Sequence, residues 1–436
     1  MGVLFVIFAV LLLFISYQYE KSIYSPTVML SFFWALIGLG SVLSLYGMYT
    51  ADDKTYFVCL ISLLAFSLGT FSTKHIRIVM SKPPADIRIS NTYSFNKVIY
   101  VVCVVLMLAF CSFRFFNVIK MRQMGYSYNA IRMVYFGNEV GGFSSSYIES
   151  AIEIYLNLPL LYAAMTVTTL NLVLPKGQKL FGKTITALSL IWIIMAQFIT
   201  GGRTTLYVFA VELIFAFFIV KNADISIFFN MNRNVYKMLL IVVAVLGLMV
   251  ILSINRTGSP TYNFMKSIYT DFCGCFTHMS LRWKIITDND YTYGISLLSG
   301  LLRPIVLPIK WVIGSYPQIY SKTIEIGELL SPPIYIGPSI EYNAYVLAPY
   351  YFYYDCGILG VFFDSLVCGV FCEFVYNKAS EESAQNAKNR LFAALYLLIV
   401  YSIFTSMIRY SGNLVYIVYA FFAVRLFFRR ECTSAH

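Results

Sequence analysis

The sequence predicts an all-α, polytopic membrane protein of about eleven transmembrane helices, with a large extracytoplasmic loop before the last three. Three observations lead there. Hydrophobic residues make up 59% of the 436 and charged residues only 12%, with a mean hydropathy of +0.72, a balance that excludes a soluble globular core. Apolar runs such as 98–116, 239–254 and 391–407 approach the length that crosses ~30 Å of hydrocarbon at a rise of ~1.5 Å per residue. Lysine and arginine gather in every second connection between such runs, the pattern that fixes orientation in a membrane.

With no water available to satisfy backbone groups, each run must be helical. The first, 2–18, lacks a basic leader and a small-residue cleavage site, so it is expected to stay as a span. Further spans are expected at 26–46, 55–73, 98–116, 148–173, 184–200, 204–220, 237–254, 357–376, 391–408 and 413–428. Lys74, Arg77, Lys82, Arg88 and Lys97 mark one side, as do Lys176, Lys179 and Lys183, then Lys221, Arg233 and Lys237, then Lys378, Lys388 and Arg390, and finally Arg429 and Arg430. That side is assigned to the cytoplasm, which puts the N-terminus outside and the C-terminus inside. The first hairpin rests on Lys21 alone.

This topology places two long polar intervals, 115–147 and 255–345, on the outer side, and both are rich in arginine. Within the larger one, the apolar piece 295–314 is interrupted by Arg303, Pro304, Pro308 and Lys310, which fits a pair of interfacial or re-entrant helices better than a span. No repeat or linker divides the chain, so a single membrane domain over 1–436 is expected. The net charge of +11 arises largely from lysines in short loops that set topology, and no nucleic-acid partner is implied. Cys59, Cys103, Cys111, Cys368 and Cys372 fall in apolar runs and read as packing residues. Cys273, Cys275 and His278 lack a fourth nearby ligand, so no metal site and no cofactor are expected.

Arginine on the outer side does nothing for orientation, and its planar guanidinium suits phosphate or carboxylate oxygens. Arg203 sits in Thr200-Gly201-Gly202-Arg203-Thr204-Thr205, a turn whose glycines expose backbone N–H groups ahead of the next helix's N-terminus. It either seats a phosphate or snorkels to lipid headgroups. Arg409 occupies a similar short turn, Ile408-Arg409-Tyr410-Ser411-Gly412-Asn413. Arg256, Arg282, Lys284 and Arg303 add cations in the larger interval, and Arg114, Arg122 and Arg132 in or beside the smaller. Glu341, Asp355 and His278 are the candidates to accept a proton, His278 because its ordinary pKa lies near neutrality. Glu341 and Asn343 precede the aromatic stretch 350–354, whose rings suit either an interfacial belt or stacking on sugars.

The Gly-Gly-Arg-Thr turn at 201–204, the run Asn343…Asp355-x-Gly357-x-x-Gly360…Gly369 and the large outer loop before the last spans together resemble the O-antigen polymerase family, the bacterial polymerases of oligosaccharide repeat units. The outer arginine-x-ten-glycine pattern of some members is not matched from Arg203 or Arg282. The resemblance implies a multi-pass protein of the bacterial inner membrane with its catalytic face toward the periplasm. It implies an undecaprenyl diphosphate-linked oligosaccharide as substrate, and a chain-length regulator and a flippase as partners besides membrane lipid. The implied reaction transfers the growing chain from its lipid diphosphate to the next lipid-linked repeat unit, without a metal. Arg203, Asn343, Asp355, Gly357 and Gly360 correspond to family positions. Two alternatives use related substrates: an O-antigen ligase delivering glycan to a lipid A core, and a flippase or other carrier, for which short loops and mid-membrane charges are the expected marks.

Overall fold

The computed structural model describes residues 1–80, 92–135, 141–200, 204–221, 233–257, 263–286, 291–330, 332–342, 346–380, 387–403 and 414–431. The described chain is mostly helical. In order it forms α1 (Gly2–Glu20), α2 (Pro26–Leu43), α3 (Asp53–Met80), β1 (Thr92–Phe95), α4 (Lys97–Gln123), α5 (Tyr128–Tyr135), α6 (Tyr147–Ile152), α7 (Leu158–Val173), α8 (Lys183–Thr200), α9 (Thr204–Lys221) and α10 (Arg233–Thr257). Then follow α11 (Phe264–Arg282), α12 (Ile295–Ile313), α13 (Gln318–Leu330), β2 (Ile334–Gly337), β3 (Ile340–Tyr342), α14 (Ala348–Ser380), α15 (Ala387–Ser402), α16 (Leu414–Phe427) and β4 (Phe428–Glu431).

Among the described residues, six helical stretches are long and apolar enough to cross a membrane: Gly2–Glu20, Pro26–Leu43, Asp53–His75, Lys97–Gln123, Ile148–Val173 and Ala348–Ala379. Shorter apolar helices lie at Lys183–Ile199, Thr205–Val220, Leu239–Ile251 and Arg390–Ser402. The all-α, membrane-embedded class therefore stands, with two small antiparallel ribbons, β1–β4 and β2–β3, added to it.

Two boundaries differ from the sequence expectation. α4 runs on to Gln123, so the first part of the interval 115–147 is helix. α12 is one helix through Pro304 and Pro308 where a pair was expected. Each proline removes one N–H from the ladder, yet the remaining turns hold, and an amphipathic face with Ile305 and Val312 stays exposed.

The membrane domain expected over 1–436 is built as two compact units. Unit 1 comprises Met1–Ile87, Met265–Asn377 and Ile399–Val415. At one of its ends the N-terminal ammonium pairs with Asp53 at 3.1 Å, and Tyr49 N–H donates to the Ile336 carbonyl of β2 at 2.7 Å. There too the Thr277 hydroxyl of α11 donates to the Tyr49 carbonyl at 2.8 Å. At its other end Lys74 pairs with Glu20 at 3.2 Å. The N-terminus, the end of α11 and the β2–β3 ribbon thus share one end. Inside unit 1, α3 and α14 cross so closely that a Cβ on Gly369 would lie 2.1 Å from the Phe66 carbonyl oxygen.

Unit 2 comprises Arg88–Phe264, Lys378–Leu398 and Tyr416–His436. β1 pairs with β4 from Thr92–Glu431 to Phe95–Phe428, which ties the start of α4 to the end of α16. Phe181, in the connection carrying Lys176, Lys179 and Lys183, stacks on Tyr100 with ring centroids 4.7 Å apart. Tyr100 in turn shares hydroxyl hydrogen bonds with Thr168 (3.1 Å) and Ser189 (2.9 Å). Three basic segments, those of Lys97, of Lys176–Lys183 and of Arg429, therefore meet at a single end of unit 2.

Candidate functional site

Within unit 2, α4 carries Arg114 roughly 25 Å along its axis from Lys97 at the basic end. There the residue is 6% exposed and its Nη1 donates to Glu153 Oε2 at 2.8 Å. Glu153 opens a π-helical turn, Glu153–Asn157, inserted between α6 and α7. Turns of this kind widen a helix by one residue and recur at functional sites. Here the turn puts Glu153 and Asn157 on one buried face, and Asn157 Nδ2 donates to Glu153 Oε2 at 3.0 Å. The Tyr135 hydroxyl donates to Glu153 Oε1 at 2.6 Å, and its ring lies 4.5 Å from the Arg114 guanidinium carbon. Trp192 Nε1 completes the cluster by donating to Asn157 Oδ1 at 3.1 Å.

Above this pair lies a cavity of ≈ 50 Å³ whose lining includes Arg114, Asn117, Tyr135, Ser144 and Glu149. Ile199, at the end of α8, also lines it, two residues before the turn that holds Arg203. Burial of a charge is costly unless it is paired and hydrogen-bonded, and this cluster meets both conditions. Glu153 had a signal in the sequence, a carboxylate inside the apolar run 148–173 with an amide four residues on. Its partner, 39 residues away, carried the same kind of signal, an arginine inside the run 98–116, but nothing in the sequence paired the two.

Unit 1 holds the other candidates. His278 is 1% exposed on α11, and its Nε2 accepts from Arg282 Nε at 3.1 Å. An arginine can only donate, so His278 takes this bond as an acceptor. Arg282 Nη1 donates to the Leu329 carbonyl at 3.2 Å, and Nη2 to the Pro332 carbonyl. All three guanidinium nitrogens are engaged, so Arg282 fastens the chain between α13 and β2 onto α11. Its partial burial lowers the guanidinium pKa from the ordinary value, though the group remains charged at working pH. Cys273 and Cys275, two apart on a helix, point in diverging directions; among the described residues no group of three ligands gathers.

Asp355 is 1% exposed and acts on the start of α12. The N-cap of that helix is Gly294, which offers no side-chain acceptor. Asp355 supplies it from a distance, accepting from Ser296 N–H at 2.8 Å, from Leu297 N–H at 3.0 Å and from the Thr292 hydroxyl. Directly after it, Cys356 and Gly357 leave helical geometry, with Gly357 at φ 63° and ψ −142°, and α14 turns sharply. Only glycine adopts that conformation without strain. The turn folds Phe352 back until its carbonyl oxygen would stand 2.2 Å from a Cβ on Gly360.

Glu341 is exposed on β3, and Arg303 is half-buried on α12. The Arg256 backbone belongs to α10, while its side chain, and all of Arg203, Asn343 and Arg409, lie outside the described residues. The structure thus joins His278 to Arg282, adds the Arg114–Glu153 pair and commits Asp355 to the start of α12. Compared with protein-family models, curated proteins and solved structures, the chain matches none.

Proposed function

We propose that this membrane protein is a glycosyltransferase of the O-antigen polymerase type. It moves a growing glycan from undecaprenyl diphosphate to a hydroxyl of the next lipid-linked repeat unit, on the extracytoplasmic side of a bacterial inner membrane, through a topology of about eleven spans. The observation that carries this reading is the cavity lined by buried Arg114, which has Asn117, Ser144 and Glu149 among otherwise largely apolar walls. It lies far along α4 from the end where three basic segments meet, beside the helix end that leads into Gly201-Gly202-Arg203. By the positive-inside rule the basic end faces the cytoplasm, and ~25 Å of helix brings Arg114 close to the opposite rim of a ~30 Å hydrocarbon layer. A cavity with hydrogen-bonding walls at that depth suits a substrate whose lipid tail stays in the outer leaflet.

The leaving group is a diphosphate anion, so transition-state stabilisation calls for positive charge where that anion forms. Arg203, Arg256 and Arg409 are the candidates for that work, whereas Arg282 is already committed to His278 and two backbone carbonyls. The acceptor hydroxyl must lose its proton to a base. Of Glu341, Asp355 and His278, Glu341 is the exposed one, and it is the assignment favoured for that step.

The test is deletion of the gene in its host and inspection of surface polysaccharide by gel. Loss of the ladder with one repeat unit retained supports the polymerase; loss of that single unit as well points to a ligase or flippase and overturns it. Complementation with Arg203→Ala restores no ladder while membrane insertion is unchanged, and Arg203→Lys rescues poorly because a planar fork is lost. Cysteine labelling that places position 203 or 409 on the cytoplasmic side refutes the topology.

A further inference from the structure

The cavity over the Arg114–Glu153 pair has a composition that narrows its ligand. Arg114 uses only Nη1 in a hydrogen bond to the described residues, and it lines the cavity, so its remaining N–H groups offer donors to an occupant. Anions are disfavoured: among the described residues at this site, one guanidinium is set against two carboxylates, Glu153 behind it and half-buried Glu149 in the lining. Among the described residues this balance suits a neutral group that accepts hydrogen bonds. Val118, Ile131 and Val134 give the same cavity apolar surface beside the polar groups of Asn117 and Ser144. A volume of ≈ 50 Å³ gives room for one pendant substituent.

We propose that this cavity seats the acetamido group of an N-acetylated sugar, with its carbonyl oxygen taken by Arg114, its N–H facing Glu149 and its methyl on the Val118–Ile131–Val134 wall. An amide with a methyl supplies an acceptor, a donor and an apolar tip, matching the three kinds of surface present, while a hydroxymethyl group leaves the apolar wall uncovered. Glu153 is then a positioning residue that holds the guanidinium in place. The proposal rests on the glycan-transfer reading and names a repeat-unit feature that this site would recognise, apart from the diphosphate.

Full-length protein in detergent micelles is probed by saturation-transfer NMR with methyl N-acetyl-β-glucosaminide, methyl β-glucoside and inorganic phosphate. The acetamido methyl is expected to show the strongest transfer, the glucoside little, and phosphate no competition. Val134→Trp, which fills the cavity, and the charge-balanced pair Arg114→Gln with Glu153→Gln should each cut the methyl signal about tenfold, the effect of losing one charge-assisted hydrogen bond or its equivalent. Equal transfer to both glycosides, competition by phosphate, or a signal that survives in both variants overturns the proposal. Binding is read without turnover, so its failure alongside an intact gene-dependent ladder removes the subsite alone, and binding without a ladder removes the polymerase reading alone.

Discussion

Replacing Glu153 by glutamine keeps the shape of the buried cluster and removes its negative charge. The two side chains are 7% and 9% exposed and meet at 2.8 Å. Coulomb's law at an effective dielectric constant of ~20 gives their attraction as about 6 kcal/mol, and desolvation of two ions offsets most of it. The single variant loses the attraction and keeps the desolvation of Arg114, so it should lose about 3–5 kcal/mol of stability. Substituting both residues by methionine removes both charges together and should lie near wild type or above it, by up to ~4 kcal/mol. Unfolding of purified protein in mixed micelles by added SDS, followed by helical circular dichroism, measures all three. A Glu153→Gln protein within ~1 kcal/mol of wild type, or a double variant as weak as the single, refutes the claim that this pair is a buried, mutually dependent unit.

Three further outcomes are expected. Gly369→Leu places a Cβ against the Phe66 carbonyl oxygen, a backbone atom with no room to give, and should cost at least ~3 kcal/mol or abolish recovery of folded protein; normal yield and stability would contradict the close α3–α14 crossing. Asp355→Ala strips the acceptor from two N–H groups and a hydroxyl at the start of α12 and should cost about 2–4 kcal/mol, with Asp355→Asn recovering part of it; limited proteolysis between 287 and 313 should report the loosened helix start, and unchanged cleavage would refute the capping role. Tyr135→Phe deletes a 2.6 Å hydrogen bond to a carboxylate and should cost about 1.5–3 kcal/mol in the same SDS titration, with no change counting against the cluster as described.

Much of the fold was legible because span length and apolarity are local properties. The expected runs coincide with helices, and Gly357, expected to open a span, marks the point where α14 turns into its long apolar segment. The interval 255–345 was harder, since α11, α12 and α13 are amphipathic and draw stability from packing that no single window reports. The candidate site was legible in part. The proximity of His278 and Arg282 follows from their i, i+4 spacing on one helix, but their mutual engagement, and the backbone carbonyls that occupy Arg282, come from residues 47 and 50 positions away. Asp355 read as a proton acceptor; its donors at Ser296 and Leu297 stand 59 and 58 positions off.

The sequence by itself determined that this chain enters a membrane and where its most apolar helices run, because the cost of exposing a peptide group to hydrocarbon is paid segment by segment. Only the tertiary structure decided what each buried charge does. Arg114 reads from the sequence as one more outer cation, and becomes half of a neutral pair once α4 packs so that Glu153 reaches it. The reason is physical: the free energy of a charge is set by the groups within a few ångströms of it, and in a folded bundle those groups come from distant parts of the chain.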